Sequence, residues 1–147
     1  MFRGQFEHTI DPKGRLSIPA GFRMEIQRRS DNPPILTRQR YHLELYPYED
    51  WQLIEQQLIE KSALQPDVQA LQRFMVSGAS ECPIDSQGRI LIPKALREHA
   101  NLESKVTVAG VLTKIEIWNA DRFEAEMQKT LINFESIQQS VDRGSEH

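Results

Sequence analysis

An aspartate followed four positions later by an arginine, with a glycine just before the arginine, occurs twice in this chain: Asp11-Pro12-Lys13-Gly14-Arg15 and Asp85-Ser86-Gln87-Gly88-Arg89. A guanidinium is a planar fork of donors that suits phosphate oxygens and the edge of guanine, and the Lys13 ammonium is a point charge suited to phosphate. The simpler counterpart is a turn whose arginine pairs with its own aspartate or a nearby carboxylate. The two are compatible, because an aspartate can orient the arginine that makes the contact. Arg3 lies upstream of the first turn and adds to the basic surroundings of Lys13 and Arg15. The candidate site residues are therefore Arg3, Lys13, Arg15 and Arg89, which can contact an anion, with Asp11 and Asp85, which can orient the arginines.

Other reactive side chains form no recognisable constellation. Cys82 is the single cysteine, so no disulfide framework can form within the chain, and the histidines are His8, His42, His99 and His147. Neither His-x-Cys, Cys-x-x-Cys nor His-Glu-x-x-His spacing occurs, and no metal or other cofactor is expected. Cys82 as a nucleophile served by a distant histidine stands beside the simpler reading of a buried thiol. Glu49-Asp50 and Glu124-x-Glu126 sit at predicted helix starts, where acids complement the dipole. Nothing here compels an enzyme. Tyr41, Tyr46, Tyr48, Trp51 and Trp118 could stack bases, but their places at strand ends and on inward helical faces favour core packing.

The elements that position the two motifs follow from the same repetition. Ile10 to Pro19 returns as Ile84 to Pro93 at an offset of 74, with Ile, Asp, Gly, Arg, Ile and Pro in register. Leu43-Glu44-Leu45-Tyr46 returns as Ile115-Glu116-Ile117-Trp118 at an offset of 72, and Trp51 is answered by Phe123. Each motif is turn chemistry: aspartate accepts backbone hydrogen bonds, Pro12 fixes φ, and Gly14 and Gly88 take the positive φ after a type I turn. Short strands Leu16-Ser17-Ile18 and Ile90-Leu91-Ile92 then end at proline, with a helical turn following.

Helices are expected over 49–61, with Trp51, Ile54 and Leu58 on one face, and after Pro66, with Val68, Leu71, Phe74 and Met75 inward. Asp121 and Glu124 suggest a capping box for a last helix that buries Phe123, Met127, Leu131 and Phe134, and the polar residues beyond Ser136 are expected to fray. Neither half holds enough chain for its own core, so two copies closing on each other about a pseudo-twofold axis is the expected architecture. The expected parts are a first repeat over 5–50, a helical connection over 51–78, a second repeat over 79–122, and a C-terminal helix and tail over 123–147.

Net charge is −3 over 147 residues, yet the first forty residues hold eight basic and four acidic side chains, a balance of +4, which leaves −7 for the rest. For an anionic polymer the local field counts more than the sum. No apolar run approaches the roughly 18 residues that span a bilayer, and no apolar segment follows a basic start, so a cytoplasmic protein without a membrane partner is expected.

Met1-Phe2-Arg3-Gly4, the two Asp-x-x-Gly-Arg motifs, Ser77-Gly78-Ala79 and Glu116-Ile117-Trp118, taken in this order, resemble the bacterial MraZ family, a two-copy member of the AbrB-like (SpoVT-AbrB) superfamily. The resemblance runs from Met1 to about Met127. It implies an α+β fold: a swapped-hairpin AbrB-like β-barrel built from both repeats and flanked by helices. It also implies a non-enzymatic, nucleoid-associated transcriptional regulator without a small-molecule substrate. Such a protein binds tandem short repeats in double-stranded DNA upstream of the division and cell wall gene cluster, usually represses it, and assembles with itself into a ring. The Asp-x-x-x-Arg motif is the implied DNA-binding element, falling here on Asp11 and Arg15 and on Asp85 and Arg89. Gln87 in place of Lys13 makes the second copy the less basic of the two. The alternative of a different class is an oligomeric scaffold or antitoxin-like module whose basic rim meets an acidic protein.

Overall fold

Both repeats fold in one order: strand, turn, short strand, helix, hairpin, helix. In a computed structural model describing residues 1–61 and 64–145, the first repeat supplies β1 (Phe2–Thr9), β2 (Arg15–Ser17), α1 (Ala20–Arg29), β3 (Ile35–Arg38), β4 (Leu43–Tyr46) and α2 (Tyr48–Glu60). Helix α3 (Pro66–Val76) leads to the second: β5 (Ser80–Glu81), β6 (Arg89–Leu91), α4 (Lys94–His99), β7 (Lys105–Leu112), β8 (Lys114–Asn119) and α5 (Ala120–Ile132). Helix α6 (Phe134–Ser145) follows. Glu146 and His147, the end of the expected tail, lie outside the described residues.

The antiparallel main sheet runs β1-β7-β8-β4-β3-β5, an order that maps onto itself in reverse when the repeats are exchanged. Each repeat therefore completes its partner: β1 pairs with β7, and β5 with β3. Two pairs of equivalent residues face each other, Glu44 with Glu116 and Leu16 with Ile90, so the pseudo-dyad passes through both. The core lies around this axis. Leu16, Ile18, Ile90 and Ile92 are at most 2% exposed, and burying a side chain of this size contributes about 1.5–3 kcal/mol. A half-chain would leave these residues in water.

The α+β class stands, but hydrogen bonding does not close the sheet into the barrel that the family resemblance implies. Among the described residues the six-stranded sheet keeps two edges, β1 and β5, while β2 and β6 pair only with each other. Pro19 and Pro93 follow these short strands, and proline has no N–H with which to extend a ladder.

Several local expectations are corrected by packing. The turn after Pro19 becomes a ten-residue helix, α1, because Phe22 and Ile26 both reach the core. Leu71 of α3 is exposed, and only Met75 of that helix is fully buried. The cap of α5 is Asn119, whose side chain accepts from the Arg122 N–H at 3.0 Å, rather than an Asp121–Glu124 box. Phe123 is buried, but Met127, Leu131 and Phe134 are exposed, and the segment expected to fray continues as α6.

One charged group sits at the centre. Glu44 is 1% exposed and accepts from Lys114 Nζ at 2.5 Å, Tyr46 Oη at 2.9 Å and Gln39 Nε2 at 3.1 Å, with His42 Nε2 at 3.3 Å. Burial alone would raise its pKa. The His42 and Lys114 hydrogen bonds outweigh that and hold the carboxyl at about 2. The liganding atoms of His42, Glu44 and Glu116 lie within 4.8 Å of one another, and the cation these carboxylates hold is the Lys114 ammonium, 3.7 Å from Glu116 Oε2. Cys82 is buried, which pushes its thiol up to about 12, far from the range of a working nucleophile.

Candidate nucleic-acid interface

Both motifs form the same turn. Gly14 N–H donates to the Asp11 carbonyl at 2.9 Å and Asp11 N–H to the Arg15 carbonyl at 3.0 Å; Gly88 and Asp85 repeat the pattern at 2.9 and 2.8 Å. Gly14 and Gly88 have φ of +88° and +78°, the left-handed region that glycine enters without a Cβ penalty. The Asp11 carboxylate accepts from the backbone N–H of Lys13 and Arg15 at 3.0 and 2.8 Å and from Arg15 Nε at 2.7 Å. The Arg15 backbone N–H leads in holding its pKa below the usual carboxylate value; the Arg89 N–H does the same for Asp85. At the second turn the side-chain contact is looser, with Arg89 Nε 3.5 Å from Asp85 Oδ2.

The strands leaving these turns form a two-stranded antiparallel ribbon. Arg15 lies opposite Leu91 and Ser17 opposite Arg89, while Leu16 and Ile90 point to the core. By the alternation of strands, Arg15, Ser17, Arg89 and Leu91 share the outward face. Arg15 and Arg89 thus stand diagonally across the ribbon, about 7–8 Å apart for such a pair. The ribbon is locked at both ends across repeats, with Ile18 N–H donating to the Gly88 carbonyl and Ile92 N–H to the Gly14 carbonyl.

Two further arginines complete the site, and each comes from the opposite repeat. Arg97 Nε donates to the Ile92 carbonyl at 3.0 Å and its guanidinium covers Gly14, where a Cβ would overlap it. Arg23 Nε donates to the Ile18 carbonyl at 2.9 Å and covers Gly88 in the same way. Neither arginine belongs to the candidate set that the motifs define; Arg23 is one of the eight basic residues of the first forty, and Arg97 lies outside that segment. The signal was present, since Pro19-to-Arg23 and Pro93-to-Arg97 recur at the offset of 74. In Arg15, Arg23 and Arg97 the Nε is occupied, and among the described residues the chain offers no hydrogen bond to their Nη atoms. That free edge is the one that grips a phosphate or a guanine bidentately.

The site residues read from sequence divide accordingly. Asp11, Lys13, Arg15, Asp85 and Arg89 are brought to one ribbon. Arg3 is not: it pairs with Val111 at the far end of β1, six residues from Thr9, about 20 Å of extended chain. Four other arginines of the first forty residues are engaged away from the ribbon. Arg28 and Arg29 pair with Glu25, and Arg29 also with Asp50. Arg38 stacks on Phe74 and Arg40 on Tyr41. The ribbon's own cations are Lys13, Arg15 and Arg97 at one end and Arg23 and Arg89 at the other. The ends differ by little more than Lys13 against Gln87.

Comparison with known proteins places the chain in a family. The family model described as "MraZ protein, putative antitoxin-like" matches twice in tandem, over residues 1–74 and 75–143. A protein of Syntrophobacter fumaroxidans named Transcriptional regulator MraZ is 44% identical over 136 residues, covering 92% of this chain and 91% of that protein. Proteins of the same name from Thermoanaerobacter pseudethanolicus and Pediococcus pentosaceus are 44% and 39% identical, covering 97% and 96% of this chain and the same shares of their own. With two tandem matches and relatives aligned along almost the whole length, the chain belongs to the MraZ family.

Proposed function

We propose that the protein is a DNA-binding transcriptional regulator that reads duplex DNA with the β2–β6 ribbon. The observation that carries this reading is the outward ribbon face, where Arg15 and Arg89 stand diagonally across the ribbon between flanking cations from both repeats. A two-stranded ribbon fits the major groove, which is about 12 Å wide, and arginine is the usual partner of guanine O6 and N7 there. Arg15 and Arg89 take base edges; Lys13, Arg23 and Arg97 take phosphates on either side. Asp11 and Asp85 hold the turns and aim the arginines. The segments over 5–50 and 79–122 each supply one arm of the reader, and Arg3 lies outside the ribbon's footprint.

Two base contacts and a few phosphate contacts are too few for tight specific binding by one subunit. The reading is completed by a ring-like homo-oligomer whose ribbons engage tandem short repeats upstream of the protein's own operon in the division and cell wall gene cluster, repressing it from a place on the nucleoid. Linked contacts raise the effective concentration of each later one. The test is a gel-shift series on one, two and three repeats at constant DNA length, with unrelated competitor DNA. Affinity should climb steeply with repeat number and fall when one repeat is moved by about 5 base pairs, half a helical turn. Equal displacement by unrelated DNA at every repeat number would instead favour a scaffold with a basic rim.

A further inference from the structure

The pseudo-twofold axis relates two grooves that are filled differently. In the first repeat, α3 folds back over β3 and α2. Its Met75 is buried with Ile35, Tyr46 and Trp51, and its Phe74 and Met75 carbonyls accept from Arg38 Nε at 3.0 Å and Thr37 Oγ1 at 2.7 Å. Between α3 and the sheet about 120 Å³ of space remains, bordered by Ile35, Trp51, Glu55 and Ser80, while a separate groove of about 640 Å³ runs between α2 and α3, lined by Leu58, Ile59, Gln72 and Val76. The equivalent positions in the other half, Thr107, Phe123, Met127 and Phe6, line a groove of about 640 Å³. Among the described residues no further helix covers it, and its rim carries Glu7, Lys105, Asp121 and Glu124.

The helix that follows α5 cannot fill it. α3 packs back on α2, with Gln72 Nε2 donating to the Leu58 carbonyl at 2.9 Å, whereas Asn133 alone separates α5 from α6. Asn133 N–H donates to the Lys129 carbonyl at 3.2 Å and Ile137 N–H to the Asn133 carbonyl at 3.0 Å, so helical bonding runs through the joint. α6 therefore extends outward. Every side chain from Leu131 to Gly144 is exposed, and Leu131, Phe134, Ile137 and Val141 form one apolar stripe at helical spacing.

One chain thus carries an empty helix seat and an uncovered apolar helix that cannot reach it. We propose that α6 of a second copy of this chain docks in the groove between β1, β7 and α5, in the role that α3 plays in the first repeat. The contact is head-to-tail, using different surfaces on the two partners, and repetition closes a ring or grows a filament. This rests on the reading of the protein as a homo-oligomer and assigns its interface.

The test uses two full-length variants: Ile137→Asp/Val141→Asp, which spoils the helix, and Met127→Glu, which spoils the groove. All three sites are solvent-exposed, and unchanged circular dichroism and melting establish that the variants fold. By light scattering the unaltered protein should be larger than a dimer and each variant a monomer. An equimolar mixture should form dimers and nothing larger, because one intact helix meets one intact groove. An oligomer indifferent to both variants would overturn the interface while leaving the homo-oligomer reading in place; a monomeric unaltered protein would overturn both. Should a variant misfold, Met127→Cys and Ile137→Cys proteins can be mixed and treated with a short bismaleimide. A covalent dimer that needs both partners supports the contact, and its absence overturns it.

Discussion

Replacing Gly14 by alanine tests the interlock between repeats. Gly14 has φ of +88°, and forcing a residue with a Cβ into the left-handed region costs about 1–2 kcal/mol. The new methyl would also overlap the Arg97 guanidinium, which must swing away and give up its 3.0 Å bond to the Ile92 carbonyl; a hydrogen bond from a charged group contributes about 1.5–3 kcal/mol. Gly14→Ala should therefore destabilise by about 2.5–5 kcal/mol, a large share of the roughly 5–15 kcal/mol that holds a typical domain. Urea unfolding at fixed protein concentration measures this, with Gly21→Ala as control. Gly21 lies in α1 with nothing within 4 Å of a Cβ, so alanine there should be neutral or stabilising by up to about 1 kcal/mol. In an Arg97→Ala background the overlap is gone, and Gly14→Ala should cost only the backbone component. The cycle should give a coupling of about 1.5–3 kcal/mol. Additive effects would refute the placement of Arg97 over the turn of the opposite repeat.

Three shorter predictions follow. Lys13→Ala should reduce the magnitude of the salt slope of DNA binding by about 0.9, and Gln87→Lys should increase it by a similar amount, as seen in fluorescence anisotropy over a salt series. Burial would lower the His42 pKa, but Glu116 and Glu44 outweigh it and raise it above 6.5. Its contribution to stability is full below the unfolded value and disappears as pH rises through the raised folded value, so melting temperature should fall over that interval and His42→Gln should flatten the profile. The Cys82 thiol, buried and shifted to about 12, should resist a thiol reagent at pH 8 in the native protein and react on unfolding in urea.

How far sequence reaches is visible in particular elements. The two turns, β4, β8 and the faces of α2 were legible because turn residues and core periodicity are local signals. β1 was not: six of its eight residues, Arg3 to Glu7 and Thr9, are exposed, and it is held by pairing with β7 rather than by a buried face of its own. The ribbon's five cations were only partly legible. Arg15 and Arg89 announce themselves by motif, whereas Arg97 matters because antiparallel pairing of β2 with β6 carries it across the axis to Gly14. Arg3 looked near to Lys13 in sequence but is separated from it by the length of β1. The stripe from Met127 to Val141 reads as a core face by spacing; packing within one chain leaves it uncovered.

The central claim is that the β2–β6 ribbon reads DNA sequence through Arg15 and Arg89. The most direct measurement is competition between the fragment upstream of the protein's own gene cluster and a scrambled fragment of equal length, at one salt concentration, for the unaltered protein and for Arg15→Ala/Arg89→Ala. A lost bidentate arginine–guanine pair costs about 1–3 kcal/mol of discrimination, or about 5- to 150-fold. The unaltered protein should prefer the upstream fragment, and the double variant, still folded and still held by Lys13, Arg23 and Arg97, should bind both weakly and alike. Undiminished preference in the double variant would contradict the claim.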